Sequence, residues 1–271
     1  MASYQRLAEL EQQGKTAAVA TVIRTQGSVP RHEGSKMLIF PDGSIEGTIG
    51  GGEMENRVIA EAREALRTSR LRRLSYSFRD PERGDVGVCG GEMEVLVEPI
   101  KPPATILIIG GGHVGQAVAE LANWLGFRVV VADDREEFAQ EDVVPQAEKT
   151  VYVAMADVAD RVTIHDQTYV LLTTRGVEVD VAGLPALLDS PAPYIGVIGS
   201  RRRWETTAKK LREAGIEEAK IARVTSPIGL ELNAETPEEI ALSMLAEIVM
   251  IMRGGTGERM DPDPPPANQQ E

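Results

Sequence analysis

Residues Thr105 to Asp134 carry an order of features that few folds accommodate. Thr105-Ile-Leu-Ile-Ile109 is a short apolar, β-rich run with prolines before it and glycines after it. Gly110-Gly-Gly-His-Val-Gly115 follows, then a helical spacing of Ala117, Val118, Leu121, Ala122 and Leu125 closed by Gly126. A second apolar run, Phe127 to Ala132, ends at Asp133-Asp134. Strand, G-x-G-x-x-G turn, helix, strand and terminal acid together form a dinucleotide-binding unit. Gly110 permits the tight turn, Gly112 lets the backbone approach a diphosphate, and Gly115 lets the helix lie against the strand. His113 sits inside the turn. Unpaired N–H groups and the positive end of the helix dipole then face the anion. Asp133 stands 18 residues after Gly115, where a carboxylate accepts hydrogen bonds from a ribose diol. The plain alternative is a doubly wound domain that keeps the glycine turn for packing and binds nothing there.

The alternation continues. Strand-like runs at Thr150–Ala154, Tyr169–Thr174, Tyr194–Ile198 and Ile221–Val224 are separated by helical stretches, Trp204–Ala214 among them. Six strands joined by helices predict a Rossmann-like, doubly wound parallel sheet of the α/β class, with its ligand crevice at the carboxyl ends of the strands. Thr173, Thr174, Arg175, Gly199, Ser200 and Arg201 fall on that rim. The arginines 201–203 open a helix, where positive charge opposes the dipole, so they are either solvated or face an anion. Thr236-Pro-Glu-Glu239 is a capping box with Pro at the first helical position, and the helix runs to Arg253 before Gly254-Gly255. Its stripe of Ile240, Met244, Leu245, Ile248 and Met252 is joined by apolar Leu242, Val249 and Ile251. A helix apolar around its circumference predicts burial on more than one side, between domains or at a homodimer interface.

Lys101-Pro102-Pro103 is a stiff polar hinge between two apolar runs and divides the chain. Residues 1–103 hold 14 Lys/Arg against 15 Asp/Glu, whereas residues 104–271 hold 15 against 27. The expected organisation is a smaller α+β domain over residues 1–101, a Rossmann-like domain over 104–258, and a disordered Pro- and Asp-rich tail over 259–271. The first domain reads as a helix at Tyr4–Gln13 and strands at Ala17–Thr25, Lys36–Phe40 and Ser44–Ile49. A helix at Glu53–Thr68 and strands at Leu71–Phe78 and Met93–Pro99 complete it.

A net charge of −13 over 271 residues argues against a nucleic-acid partner, which needs a basic surface. The longest apolar stretch, Ala241 to Met252, is too short for a bilayer and contains Glu247, so no membrane partner is expected. Met1 to Leu10 lacks the charged start and apolar run of a signal peptide. One cysteine, Cys89, allows no internal disulfide and points to the reducing cytoplasm. The histidines, His32, His113 and His165, lie too far apart in sequence to suggest a His-based zinc site, and a structural hydrogen bond is expected of His165.

Two clusters in the first domain exceed what folding asks for. Gly47-Thr-Ile-Gly-Gly-Gly52 joins a strand to a helix start, another place for bare amides to hold an anion. Glu53 and Glu55 already complement that helix dipole, so the glycines could equally serve only the turn. Arg24, Arg31 and Lys36 surround the loop Gln26 to Ser35, where a phosphate or oxoanion site competes with ordinary surface charge. Cys89, flanked by Gly87, Gly90 and Gly91, is either an inert core thiol or an accessible one suited to a soft metal or a sulfur-transfer partner.

These segments together resemble the XdhC/CoxI family, accessory proteins of molybdenum hydroxylases such as xanthine dehydrogenase. The matching pieces in the first half are Gly27-Ser-Val-Pro-Arg31 with Lys36-Met-Leu38, Gly47-Thr-Ile-Gly-Gly-Gly-Glu53 and Cys89-Gly-Gly91. In the second they are Gly110 to Gly115, Asp133-Asp-Arg135, Ile198-Gly-Ser-Arg201 and Pro227-Ile-Gly-Leu230 leading to Glu235-Thr-Pro-Glu-Glu-Ile240. The resemblance spans nearly the whole chain. It implies a non-catalytic chaperone that binds molybdenum cofactor (molybdopterin or its nucleotide form), protects it while an oxo ligand is exchanged for sulfido, and passes it to the apo-hydroxylase. A cysteine desulfurase would be a further partner.

The residues expected to bind cofactor are Arg31, Lys36, Gly50, Gly51, Gly52, Glu53, Gly90 and Gly91, with Cys89 contacting the molybdenum or the dithiolene. In the second domain they are Gly110, Gly112, His113, Gly115, Asp133, Ser200 and Arg201. The sequence departs from the family's pattern at Val177, where histidine is common, and at Asn233, where glycine is. The competing reading is an NAD(H)-dependent oxidoreductase using Gly110, Gly112, Gly115 and Asp133, which lacks a recognisable acid–base partner.

Overall fold

The computed structural model describes residues 4–78, 86 and 90–260. They form two compact units, Met1–Pro103 and Ala104–Glu271. In the first, α1 (Tyr4–Gln12) leads into strands β1 (Ala17–Gln26), β2 (Lys36–Ile39) and β3 (Ile45–Gly47). Helix α2 (Gly52–Thr68) and strands β4 (Arg72–Ser77) and β5 (Glu92–Ile100) follow. The strands make one antiparallel sheet in the order β3-β2-β1-β5-β4. Helix α2 forms because Met54, Val58, Ala62, Ala65 and Leu66 recur at helical spacing on one buried face. That face packs on Ala18, Ala20, Val22, Met37, Ile39, Val95 and Val97 of the sheet. At one end of the other face, Leu10 of α1 meets Ala17, Val19 and Leu38.

The second unit contains β6 (Thr105–Ile109), α3 (His113–Trp124), β7 (Arg128–Asp133), β8 (Lys149–Tyr152), α4 (Val158–Arg161) and β9 (Thr168–Leu172). It continues through α5 (Val177–Leu188), β10 (Tyr194–Val197), α6 (Arg201–Glu213), α7 (Glu218–Ile221), β11 (Val224–Thr225) and α8 (Pro237–Arg253). Its six strands are all parallel, in the order β11-β10-β9-β6-β7-β8. This is the doubly wound Rossmann topology, with its switch point between β6 and β9. The strand sequences TILII and TYVLL are buried at every position, as expected where helices cover both faces of a parallel sheet. Leu184, Leu187, Ala208 and Leu211 of α5 and α6 cover one face. Val118, Ala122, Met244, Leu245 and Ile248 of α3 and α8 cover the other.

Two expectations are corrected, the strand at Ile221–Val224 and the inward face of α3. Ile221–Val224 is not a strand: Ile221 ends α7, where it is buried in the core, and only Val224–Thr225 pair with β10. A run of four mixed residues suits a helix end as well as a strand, and tertiary packing decides. Within this chain helix α8 buries one side, and Leu242, Val249 and Ile251 are exposed. In α3 the inward residues are Gly115, Val118, Ala119 and Ala122, while Leu125 is exposed. Residues 261–271, where the sequence predicts disorder, lie outside the described residues.

Helix α8 starts with the expected capping box: Thr236 Oγ1 accepts from the Glu239 N–H at 3.2 Å, and Glu239 Oε2 accepts from the Thr236 N–H at 3.1 Å. Gly254, in the left-handed region, ends it. Thr236→Ala removes half of this exchange and is expected to lower stability by about 1 kcal/mol, read as a lower urea midpoint with an unchanged slope.

Candidate functional site

Antiparallel pairing brings the glycine-bearing segments of the first unit to one end of its sheet. The carboxyl end of β1 faces the amino end of β5 through Gln26↔Glu92, and Met37 near the amino end of β2 faces Gly47 at the carboxyl end of β3. Segments 26–35, 47–52 and 90–91 therefore emerge together. Their contacts are too close for side chains. A Cβ on Gly91 would lie 2.2 Å from the Ser28 carbonyl oxygen, and one on Gly50 would lie 2.7 Å from Cγ of Pro30. Gly27 in turn packs on Gly90 and Gly91. The glycines thus weld three loops into one surface. Arg31 is exposed on it and makes no hydrogen bond or ion pair among the described residues. Lys36 is engaged, its Nζ donating to Thr21 Oγ1 at 2.8 Å. Gly87, Val88 and Cys89 lie outside the described residues.

The amides of the 47–52 turn are not bare. Glu55, buried on the first turn of α2, reaches back so that Oε1 accepts from the Ile49 N–H at 3.0 Å and the Gly50 N–H at 3.1 Å. The Thr48 hydroxyl and the Gly51 amide also donate to this carboxylate. Burial pushes the Glu55 carboxyl up, but these hydrogen bonds outweigh it and hold the group below the ordinary glutamate range. Glu53, by contrast, is exposed and pairs with Arg57 at 3.1 Å. Gly51 and Gly52 face open space.

In the second unit the first two amides of the glycine turn, those of Gly110 and Gly111, are likewise engaged from within. The Gly110 N–H donates to the Ala132 carbonyl at 2.8 Å, and the Gly111 N–H donates to Asp133 Oδ2 at 2.8 Å. Asp133, expected to present its carboxylate to a ribose, is 1% exposed and also accepts from Arg135 N, Nε and Nη2 at 2.9, 3.0 and 2.9 Å. A Cβ on Gly115 would lie 1.9 Å from the Gly110 carbonyl oxygen, which is the helix-to-strand approach this glycine permits. Thr173 Oγ1 donates to the same oxygen at 2.7 Å, plugging the switch point. Phe138 lies over Gly111, its carbonyl oxygen 2.1 Å from where a Cβ would be, and the Arg135 guanidinium stacks 3.9 Å from its ring centre. Gly110, Asp133, Arg175 and Met155 line a narrow crevice beside this turn.

The rim arginines divide. Arg203 is held internally: its Nε and Nη2 donate to Asp180 Oδ2 at 3.0 and 2.8 Å, and its Nη1 to the Thr174 carbonyl at 3.1 Å. Arg175 forms a two-point pair with Asp134 at 2.6 and 2.7 Å, which holds that carboxyl below its usual range. The sequence reading did not find Asp180 or Asp134 as partners. Arg201 is exposed, and Ser200 caps α6 by accepting from the Arg203 N–H at 3.3 Å. His113 opens α3, exposed. His165 is half-buried, its Nδ1 accepting from the Gln167 N–H at 3.2 Å. Of the departures from the family pattern, Val177 begins α5 and Asn233 takes φ 54°, a conformation that asparagine tolerates in place of glycine. Among the described residues no group of three or more His, Cys, Asp or Glu is placed to hold a metal ion, and no helix is long and apolar enough to cross a membrane.

A doubly wound parallel domain following an antiparallel unit with welded glycine loops defines the class: a two-unit, Rossmann-containing protein. The chain belongs to the XdhC/CoxI family. The sequence model of the XdhC and CoxI family matches residues 10–77, and that of the XdhC Rossmann domain matches residues 106–248. The chain is 35% identical to YqeB of Escherichia coli K12 over 97% of this chain and 48% of that protein. It is 26% identical to a probable xanthine dehydrogenase subunit of Bacillus subtilis 168, over 57% of this chain and 45% of that protein. It thus spans about half the length of these two relatives. It is 23% identical to the molybdenum cofactor insertion chaperone PaoD of Escherichia coli K12, over 88% of this chain and 84% of that protein. A solved structure described as a xanthine dehydrogenase from Bacillus halodurans shares the fold, with a TM-score of 0.50 at 22% identity over 97% of this chain and 98% of that one.

Two consequences are measurable. Because Glu55 titrates below its unfolded value, its contribution is present above the ordinary glutamate pKa and is lost as pH falls through the lower folded value. Glu55→Gln is expected to cost on the order of 1.5–3 kcal/mol near neutrality and to flatten the acid limb of stability measured by urea unfolding. His165 behaves with the opposite charge. Burial lowers its pKa from 6.5, so as pH falls below that value the unfolded chain takes up a proton that the native chain refuses. Stability should drop over that interval, and His165→Gln should remove the drop.

Proposed function

We propose that the chain is an accessory protein of a molybdenum hydroxylase, binding molybdenum cofactor as cargo and delivering it to the apoenzyme. The observation that carries this reading is the convergence of segments 26–35, 47–52 and 90–91 at one sheet end, with Arg31 exposed and without a partner among the described residues. A pterin cofactor ends in a phosphate or a nucleotide diphosphate, and a free guanidinium is the side chain best shaped to grip one by two parallel hydrogen bonds. Similarity to a molybdenum cofactor insertion chaperone over most of both chains supports the same cargo.

Cys89 directly precedes Gly90 in the sequence, and a thiolate is a soft ligand suited to molybdenum or to sulfur exchange at the dithiolene. Shelter of the cofactor during sulfuration, with a cysteine desulfurase as sulfur source, and assembly as a homodimer belong to this reading.

The oxidoreductase reading has no support from the geometry. Asp133, the carboxylate that reading needs for a ribose, is buried and already bound by Gly111 and Arg135. Purified chain mixed with molybdopterin should retain about one pterin per chain through gel filtration, read as fluorescence of the oxidised pterin. Arg31→Ala should weaken retention about tenfold, the equivalent of one charge-assisted hydrogen bond. Absence of pterin on the wild-type chain, or its full retention by both Arg31→Ala and Cys89→Ala, would overturn the assignment.

A further inference from the structure

Helix α3 has two faces, and the cargo site proposed above at Arg31 uses neither. Gly115, Val118, Ala119 and Ala122 are buried on the sheet. His113, Ala117, Glu120, Leu121 and Trp124 lie on the outer side at intervals of three and four residues, a stripe roughly 16 Å long at 1.5 Å per residue. Pro237, Glu238 and Leu242 of α8 form the opposite wall of a groove of about 880 Å³. Two of its apolar side chains stand in the open, Trp124 at 79% and Leu242 at 53% exposure. An isolated exposed leucine needs no explanation, but a tryptophan and a leucine facing one groove between packed helices mark an interaction surface.

Charge decides what fits. The Asp, Glu, Lys and Arg residues lining the groove are all acidic, Glu120 and Glu238, in the half of the chain that holds 15 Lys/Arg against 27 Asp/Glu. A second copy would set these glutamates against their own counterparts. The chain's own carboxyl-terminal segment, with Asp261, Asp263 and Glu271, would add negative charge to negative. We infer that the α3/α8 groove docks a basic amphipathic helical segment of another protein, its apolar side chains on Trp124 and Leu242 and its lysines or arginines against Glu120 and Glu238. A groove about three helical turns long, with apolar and acidic groups interleaved, suits an apolar stripe flanked by cations.

Synthetic helical peptides of about 14 residues test this, since that length spans roughly 20 Å. One carries leucines at helical spacing among lysines, a second has glutamates for the lysines, and a third has serines for the leucines. Emission of Trp124 in a Trp204→Phe background reports binding, and sedimentation reports the oligomeric state. The Leu/Lys peptide should bind with a blue shift, the other two at least about tenfold more weakly, the loss expected when a central anchor goes missing. Leu242→Asp should weaken the Leu/Lys peptide by a similar factor, and Glu120→Lys with Glu238→Lys should reverse the preference toward the Leu/Glu peptide. All three positions are exposed, and circular dichroism confirms that each variant is folded. Equal binding of the Leu/Lys and Lys/Ser peptides would reduce the effect to general attraction by an acidic protein and overturn the proposal. So would no binding, or a wild-type dimer that Leu242→Asp dissociates. None of these results depends on pterin retention, so the groove and the cargo site stand or fall separately.

Discussion

A carboxylate of the chain itself sits on amides of two strand-to-helix glycine turns, Glu55 on the turn before α2 and Asp133 on the turn before α3. Amides at such a turn carry the positive end of a helix dipole and need an anion or water. Supplying the anion internally takes a carboxylate out of solvent, a cost that several charge-assisted hydrogen bonds offset. The two solutions differ in range. Glu55 lies five residues from Gly50, so that nest forms with the first turn of its own helix. Asp133 lies 22 residues from Gly111, so the second turn closes only when β6, α3 and β7 have come together.

Internal closure redistributes what each turn can offer a ligand. In the second unit Thr173 donates to the Gly110 carbonyl, and Phe138 with the Arg135 guanidinium stacked on it lies against Gly111, so the Gly110–Gly111 half of the turn is occupied by the chain itself. A shared fold does not by itself carry a shared site. In the first unit Gly51 and Gly52 remain open, but the accessible positive charge belongs to the Arg31 side chain rather than to the amides. On the proposed function, recognition of an anionic cargo falls to the Arg31 guanidinium rather than to the backbone, and the glycines bring the three loops together.

Much of this was legible in the residues. Continuous apolar runs such as TILII and TYVLL read as parallel strands because both faces are covered, and the capping box at Thr236 gave the start of α8 to the residue. The glycine clusters were visible as well, and so was the possibility that glutamates answer the helix dipole. Which glutamate does so was not. Glu53 and Glu55 look alike in sequence, and only the direction of the α2 face sends one to solvent and the other into the nest. Arg203 was equally hidden among three arginines, because its partner Asp180 is brought there by α5 packing against α6. The second side of α8 read as buried because hydropathy records what a side chain would tolerate, whereas Leu242 and Val249 lie where this chain has nothing to cover them.

The charge asymmetry ties the two proposals to one physical argument. A phosphate-bearing cargo is repelled by the half of the chain with 27 acids and 15 bases and meets little net charge on the half with 15 and 14. At physiological salt this field fades over about 8 Å, so it acts at the surface and in the last approach. The acidic half is therefore the wrong surface for the cargo and the right one for a cationic protein segment. On the two proposals, Arg31 and the Glu120/Glu238 groove would draw ligands of opposite charge, because the acidic residues are divided unequally between residues 1–103 and 104–271.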